Sequence, residues 1–181
     1  SGMLTAEVAW ADVNGDGLLD AFFGNRMWFD ETSSNTNDPA MKNHIYLNDG
    51  SGSLQNTPWW SSDSTYSTTG VEFADINGDG DVDMLVTNEQ SRDSGDEKWG
   101  GYLEYYENDG GFSTTPTWTN SSELAIESRG IAVLSDIDGD NDLDLAYAQE
   151  RGAIEILEFD SGTFQDDIYW TSCKETPDFG G

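Results

Sequence analysis

The chain has 181 residues, of which 36 are acidic and seven are basic, so its formal net charge is −29 at pH 7. A charge of this sign and size argues against a nucleic-acid partner, and no apolar run is long enough for a membrane-spanning helix. The length is sufficient for one domain with a hydrophobic core, and Cys173, the only cysteine, cannot form an internal disulfide.

A nine-residue pattern occurs three times along the chain. It has Asp at positions 1, 5 and 9, Asp or Asn at position 3, and Gly or Asn at position 6, and its copies start at Asp12, Asp75 and Asp136. Such self-similarity at a fixed spacing indicates an internal repeat, here of about 60 residues.

The pattern predicts a calcium-binding loop. Calcium takes six to eight oxygen ligands at about 2.3–2.6 Å, which side chains at positions 1, 3, 5 and 9 and the backbone carbonyl of position 7 would supply. Position 6 lies at a sharp bend where Gly adopts a positive φ most easily and Asn is the best replacement. The predicted ligands of three Ca²⁺ ions are Asp12, Asn14, Asp16, Leu18 and Asp20, then Asp75, Asn77, Asp79, Asp81 and Asp83, then Asp136, Asp138, Asp140, Asp142 and Asp144.

The flanks of each loop predict strands instead of the helices of an EF-hand. Position 12, where an EF-hand has a bidentate Glu, is Phe23, Val86 or Tyr147. Short apolar or alternating segments lie on both sides of each loop, at residues 8–11 and 20–23, 71–74 and 83–86, and 132–135 and 144–147. Simple turns use the same residue types, but three copies with Asp at both ends favour metal loops.

Each copy continues into two more predicted strands. The third strand ends in a turn at residues 48–50, 108–110 or 160–162, and the fourth ends on Trp60, Trp118 or Trp170. Because no amphipathic helix is visible, we expect an all-β fold of three four-stranded antiparallel blades of the β-propeller type. The repeated tryptophans are expected to pack at seams or outer strands.

The domain boundaries follow from this repeat. We expect a lead-in at residues 1–4, in which Ser1-Gly2 resembles a tag remnant, blades at 5–67, 68–126 and 127–172, and a C-terminal tail at 173–181. Three blades are one fewer than the smallest closed propeller. The chain is expected to be part of a longer protein with further blades, or to pair with a second copy into a six-bladed ring, in preference to standing alone as an open wedge.

The repeats resemble FG-GAP/VCBS repeats, the calcium-bearing blades of integrin α-subunit propellers and of many bacterial secreted proteins. The likeness rests on the three acidic loops, on their lead-ins at residues 10–11, 73–74 and 134–135, and on the Tyr46-Leu-Asn-Asp-Gly50 turn. It implies a calcium-binding, secreted or cell-surface module for adhesion. Sites of this kind fill where calcium is millimolar, which also suits the cell exterior.

The connections between the second and third strands are expected on the face opposite the acidic loops, where they collect most of the cations. The candidate ligand-binding residues there are Arg26, Trp28, His44, Arg92, Lys98 and Trp99. Aromatic rings beside polar groups suit a glycan or an extracellular protein. The alternative is that the tryptophans only pin the loops, the cations pair with surplus acids and His44 is structural.

No nucleophile motif, phosphate loop or catalytic zinc pattern is present, so we expect a binding module and no enzyme. Two alternatives stay open. The chain could be the propeller part of a polysaccharide-processing enzyme such as a lyase, since some lyases resemble this propeller, or it could be a purely structural spacer.

Overall fold

A computed structural model of the chain describes residues 3–27, 42–89, 101–120, 131–148 and 153–172. Of the candidate ligand-binding residues, Trp28, Arg92, Lys98 and Trp99 lie outside these ranges, as do residues 1–2 and the tail at 173–181. The described residues contain strands and turns and no helix.

The strands form three separate sheets of four, and each sheet is an antiparallel meander in chain order. Blade 1 contains β1 (Met3–Ala11), β2 (Asp20–Met27), β3 (His44–Tyr46) and β4 (Trp60–Ser61); blade 2 contains β5 (Ser67–Ala74), β6 (Asp83–Glu89), β7 (Gly101–Tyr106) and β8 (Trp118–Thr119); blade 3 contains β9 (Ile131–Ser135), β10 (Asp144–Ala148), β11 (Ile154–Asp160) and β12 (Thr163–Thr171). The predicted fold class, an all-β chain of three four-stranded blades, is confirmed.

Blade 2 lies between the other two blades and is buried on both faces. Side chains alternate between the two faces of a strand, so Met84 and Val86 of β6 point to blade 1 while Leu85 points to blade 3. Every residue of β6 is buried as a result. In blade 3, by contrast, Ala146 and Ala148 of β10 are only partly buried.

Two apolar clusters join the blades, and we call them the first and second seams. The first seam, between blades 1 and 2, contains Ala11, Val13, Phe22, Ile45, Trp60, Met84, Val86 and Tyr106. The second seam, between blades 2 and 3, contains Ile76, Leu85, Leu103, Tyr105, Ala132, Leu145, Tyr147, Leu157, Phe159 and Phe164. The hydrophobic core therefore lies between sheets, and the outer faces of blades 1 and 3 stay open, so the ring is not closed.

The repeated tryptophans occupy equivalent places on the fourth strands, because each pairs with the third strand at the same register: Trp60 with Ile45, Trp118 with Tyr105 and Trp170 with Ile156. Trp60 is 4% exposed, donates its Nε1–H to the Ser113 carbonyl of blade 2 at 2.8 Å and meets Tyr106 edge-on. Trp118 packs on Phe164 of blade 3. Trp170, in the third blade, is 50% exposed.

Replacing Trp60 with Ala should lower the free energy of unfolding by about 3–5 kcal/mol, because the change leaves a cavity in the first seam. Denaturant unfolding in saturating calcium measures this change. Trp59→Ala is the comparison variant, since Trp59 is adjacent in sequence, is 37% exposed and touches the edge of the first seam through Phe112, and it should cost clearly less than Trp60→Ala. Equal losses for the two variants would contradict the seam assignment.

Candidate metal centres

The three acidic loops, at residues 12–20, 75–83 and 136–144, each connect the first and second strands of a blade. Position 6 has a positive φ in all three, with values of 85° at Gly17, 100° at Gly80 and 80° at Asn141. Asn141 is one of two described non-glycine residues with a positive φ. The loop backbone therefore takes the bend that the substitution of Gly by Asn predicts.

The side chain at position 1 folds back over its own loop. One carboxylate oxygen accepts the N–H of position 6, and the distances are 2.8 Å for Asp12 to Gly17, 3.0 Å for Asp75 to Gly80 and 3.3 Å for Asp136 to Asn141. At position 5 the carboxylate accepts the N–H of position 7, at 2.9 Å in the first two loops and 3.2 Å in the third. These bonds hold the acidic side chains on the inner side of the bend.

The aspartate at position 9 anchors each loop to the third strand. Asp20, Asp83 and Asp144 are almost fully buried. In each, Oδ2 accepts the N–H of position 2, at 3.2, 3.0 and 3.0 Å, and Oδ1 accepts a backbone N–H beyond the third strand or near its end. The second set of donors is Asn48 at 2.8 Å, Asn108 at 2.8 Å and Phe159 at 3.0 Å.

These hydrogen bonds do not use all the oxygen capacity of the loops. In the third loop, carboxylate oxygens of Asp136, Asp138 and Asp144 lie within 4.8 Å of one another. Asp75 Oδ1 and Asp142 Oδ1 are buried and have no hydrogen-bond partner among the described residues. A buried carboxylate oxygen without a partner is costly, and a bound cation would satisfy it.

Burial and the crowding of acids raise the pKa of several loop carboxyl groups. Burial, followed by the hydrogen bond and negative charge of Asp140, raises the pKa of Asp142 to about 7. Burial also raises the pKa of Asp20 and of Asp83, although backbone N–H donors oppose the shift. Carboxylates held together in this way favour the binding of positive charge, and an all-oxygen donor set suits a hard divalent ion such as Ca²⁺.

The acidic loops also contact the next blade. Asn108 of blade 2 donates its Nδ2–H to the carbonyl of Val13 at 2.9 Å, and Leu143 of blade 3 donates its backbone N–H to the carbonyl of Ile76 at 2.8 Å. Val13 and Ile76 both occupy position 2 of their loops and are buried in the first and second seams. An ordered loop therefore also orders the seam beside it.

Two candidate ligand-binding residues, Arg26 and His44, are described. The Arg26 guanidinium pairs across the first seam with the buried Glu89 carboxylate at 3.0 Å. His44 Nδ1 lies 2.8 Å from Ser61 Oγ, and burial, with Lys42 nearby, lowers the pKa of its imidazole. Both side chains thus already have partners within the fold.

The sequence interpretation missed Asn48 and Asn108 as parts of the loop assembly. Each belongs to a repeated Asn-Asp-Gly turn, from which the sequence predicts only the end of the third strand. The repetition of Asn before Asp-Gly was the available signal.

We expect Asp83→Asn to destabilise the metal-free protein by about 1–3 kcal/mol, because one amide nitrogen replaces an oxygen that accepts a buried hydrogen bond. Asp79→Asn is the matched control: Asp79 also accepts two hydrogen bonds, from the Asp81 N–H and the Asn77 amide, but both are exposed, so the loss of one acceptor should cost little. Unfolding in excess chelator separates the two variants. Equal destabilisation by both would show that position 9 has no special anchoring role.

Comparison with known families supports the repeat. Residues 12–86 match the family model described as the FG-GAP-like repeat, a segment that includes the first two acidic loops. The resemblance to FG-GAP repeats is thereby confirmed for this part of the chain.

No curated protein gives a significant match. The described residues include no helix with the length and apolarity that a membrane crossing requires.

Proposed function

We propose that this chain, which carries FG-GAP-like repeat sequence, is a calcium-binding β-propeller module of an extracellular protein that binds glycan or protein. The main support is the inward folding of the acidic side chains at position 1 over each loop, together with the buried partnerless oxygens Asp75 Oδ1 and Asp142 Oδ1. A Ca²⁺ ion in each loop would be coordinated by the position 1 carboxylates, and it would give Asp75 Oδ1 the partner that this oxygen lacks.

Calcium would act here as a structural ion. Its proposed ligands are the oxygen side chains at positions 1, 3, 5 and 9 and the carbonyl at position 7, which are the residues given for the three loops above. Such a shell leaves room for water but provides no evident place for a substrate. We therefore propose that the acidic loops are non-catalytic and that they stabilise the blades.

The proposed location follows from the calcium requirement. Extracellular calcium modules bind with dissociation constants of about 10⁻⁴–10⁻³ M, so they fill outside cells and stay largely empty in the cytosol. FG-GAP repeats are typically extracellular, which agrees with this argument. We propose secretion or display at a cell surface.

The proposed ligand surface is the face opposite the acidic loops. Loops on a rigid scaffold commonly carry binding residues, and the connections there contain Trp28, Arg92, Lys98 and Trp99. Because Arg26 and His44 are already engaged by Glu89 and Ser61, the proposal now relies on these other four residues. Aromatic rings with neighbouring cations suit acidic sugars or acidic protein loops.

Calcium titration tests the metal assignment. We expect three ions per chain by calorimetry and a lower melting temperature in chelator, because each site adds about 2.7 kcal/mol at a calcium concentration 100 times its dissociation constant. Asp79→Ala, which removes a side-chain ligand, should remove one ion, whereas Asp167→Ala, which removes an exposed carboxylate on β12, should remove none. Melting that is indifferent to chelator would contradict the proposal.

The ligand face is tested by a glycan array and by a depolymerisation assay on acidic polysaccharides, both in saturating calcium. We expect retention without cleavage, and loss of retention in a variant with Trp28, Arg92 and Trp99 all replaced by Ala. Cleavage products would instead indicate a polysaccharide-processing enzyme. Binding that survives the triple substitution would place the ligand elsewhere, and an absence of any binding would favour a spacer.

A further inference from the structure

We propose that the outer faces of blades 1 and 3 are the two halves of a third kind of seam, and that a second copy of this chain closes it. In this arrangement blade 3 of each copy packs on blade 1 of the other, and the two copies form a six-bladed ring. The inference goes beyond the proposed function, because it concerns faces that lie outside the calcium loops and the ligand surface.

The open face of blade 3 has the side chains that blades 1 and 2 bury against their following blade. Position 2 of the acidic loop is Val13 in the first seam and Ile76 in the second, both buried, but Ile137 in blade 3 is 51% exposed. Trp170 likewise occupies the row of Trp60 and Trp118. The same face includes Val133, Ala146, Ile154 and Ile156, and Glu158 lies at its edge near the acidic loop, because Leu157 and Phe159 beside it point into the second seam.

The open face of blade 1 has the side chains that blades 2 and 3 bury against their preceding blade. Trp10 precedes its acidic loop by the same spacing as Phe73 and Leu134, which pack against the first and second seams, yet Trp10 is 56% exposed. Position 8 repeats this difference, because Val82 and Leu143 are packed at the seams while Leu19 is 57% exposed.

Blade 1 also carries a hydrogen-bond donor, Asn48, at the position from which a blade contacts the blade before it. In the first seam, Asn108 Nδ2 donates both to the Val82 carbonyl of its own blade and to the Val13 carbonyl of blade 1. Asn48, the equivalent residue of blade 1, donates to the Leu19 carbonyl at 3.2 Å in the same way. By this equivalence, the carbonyl of Ile137 in the second copy is the expected second acceptor for Asn48.

Charge distribution supports burial of both faces. Acids make up 36 of the 181 residues, yet none occurs in the paired rows that form the centres of these faces. The rows are Val133, Ala146, Ile156 and Trp170 on blade 3, and Val8, Phe23 and His44 with Trp10, Ala21 and Tyr46 on blade 1. Two faces without an acid at their centres, on a chain of charge −29, are unlike a solvated surface.

The occupant that these observations favour is a second copy, because the chain carries both complementary halves of the contact. When copies associate head to tail through one contact, further copies add until the ring closes. Propellers normally have four to eight blades: two copies of three blades give six, which lies within that range, whereas three copies would give nine.

The first test is the mass of the particle in calcium by light scattering over a concentration series. We expect twice the chain mass of 19.9 kDa. Trp170→Glu and Trp10→Glu should each raise the dissociation constant of the dimer by about 30-fold or more, as for a tryptophan at the centre of an interface. Tyr169→Glu is the matched control: Tyr169 is adjacent to Trp170, equally exposed and outside the paired rows, and it should leave the dimer intact.

A mixing experiment distinguishes this contact from other modes of dimerisation. When Trp170→Glu and Trp10→Glu chains are mixed, one of the two seams contains only native side chains, so dimer should reappear above the level of either variant alone. Circular dichroism and the calcium-dependent rise in melting temperature verify that both variants fold.

The proposal is overturned if the folded protein has the mass of one chain at high concentration. These faces would then be left for further blades of a longer chain or for another protein. It is also overturned by a dimer that both substitutions leave unchanged, and by a mixture that shows no recovery.

Discussion

A buried aspartate at the end of each acidic loop is the constraint on which the rest of the structure depends. Asp20, Asp83 and Asp144 each accept one backbone N–H from their own loop and one from the end of the third strand. The loop, the first hairpin and the third strand of a blade are therefore fixed by a single carboxylate. Its burial is costly by itself, and the paired donors together with a bound cation would offset that cost.

The loops connect metal binding to the packing of blades. Position 2 of a loop places an apolar side chain in the seam and presents its carbonyl to the next blade, as Val13 does toward Asn108 and Ile76 toward Leu143. Because no blade can bury both its faces alone, the seams supply most of the hydrophobic stabilisation. Ordering of the loops and ordering of the seams should consequently occur together.

Much of this arrangement follows from sequence periodicity. The three acidic loops, the strands on either side of them and the tryptophan row repeat at a fixed spacing, and each is explained by local geometry, as Asn141 shows at its positive φ. Contacts between distant positions could not be predicted. The pairing of Arg26 with Glu89 and the acceptance of the Phe159 N–H by Asp144 depend on how the strands meet, and no local pattern encodes either contact.

The central claim is that a cation in each loop completes the oxygen cluster built around the buried aspartate. Anomalous X-ray scattering from crystals grown in calcium tests this claim most directly. The account predicts three peaks per chain, one in each loop, with oxygens at positions 1, 3, 5, 7 and 9 within about 2.3–2.6 Å of the ion. Well-ordered loops without anomalous density in excess calcium would contradict it.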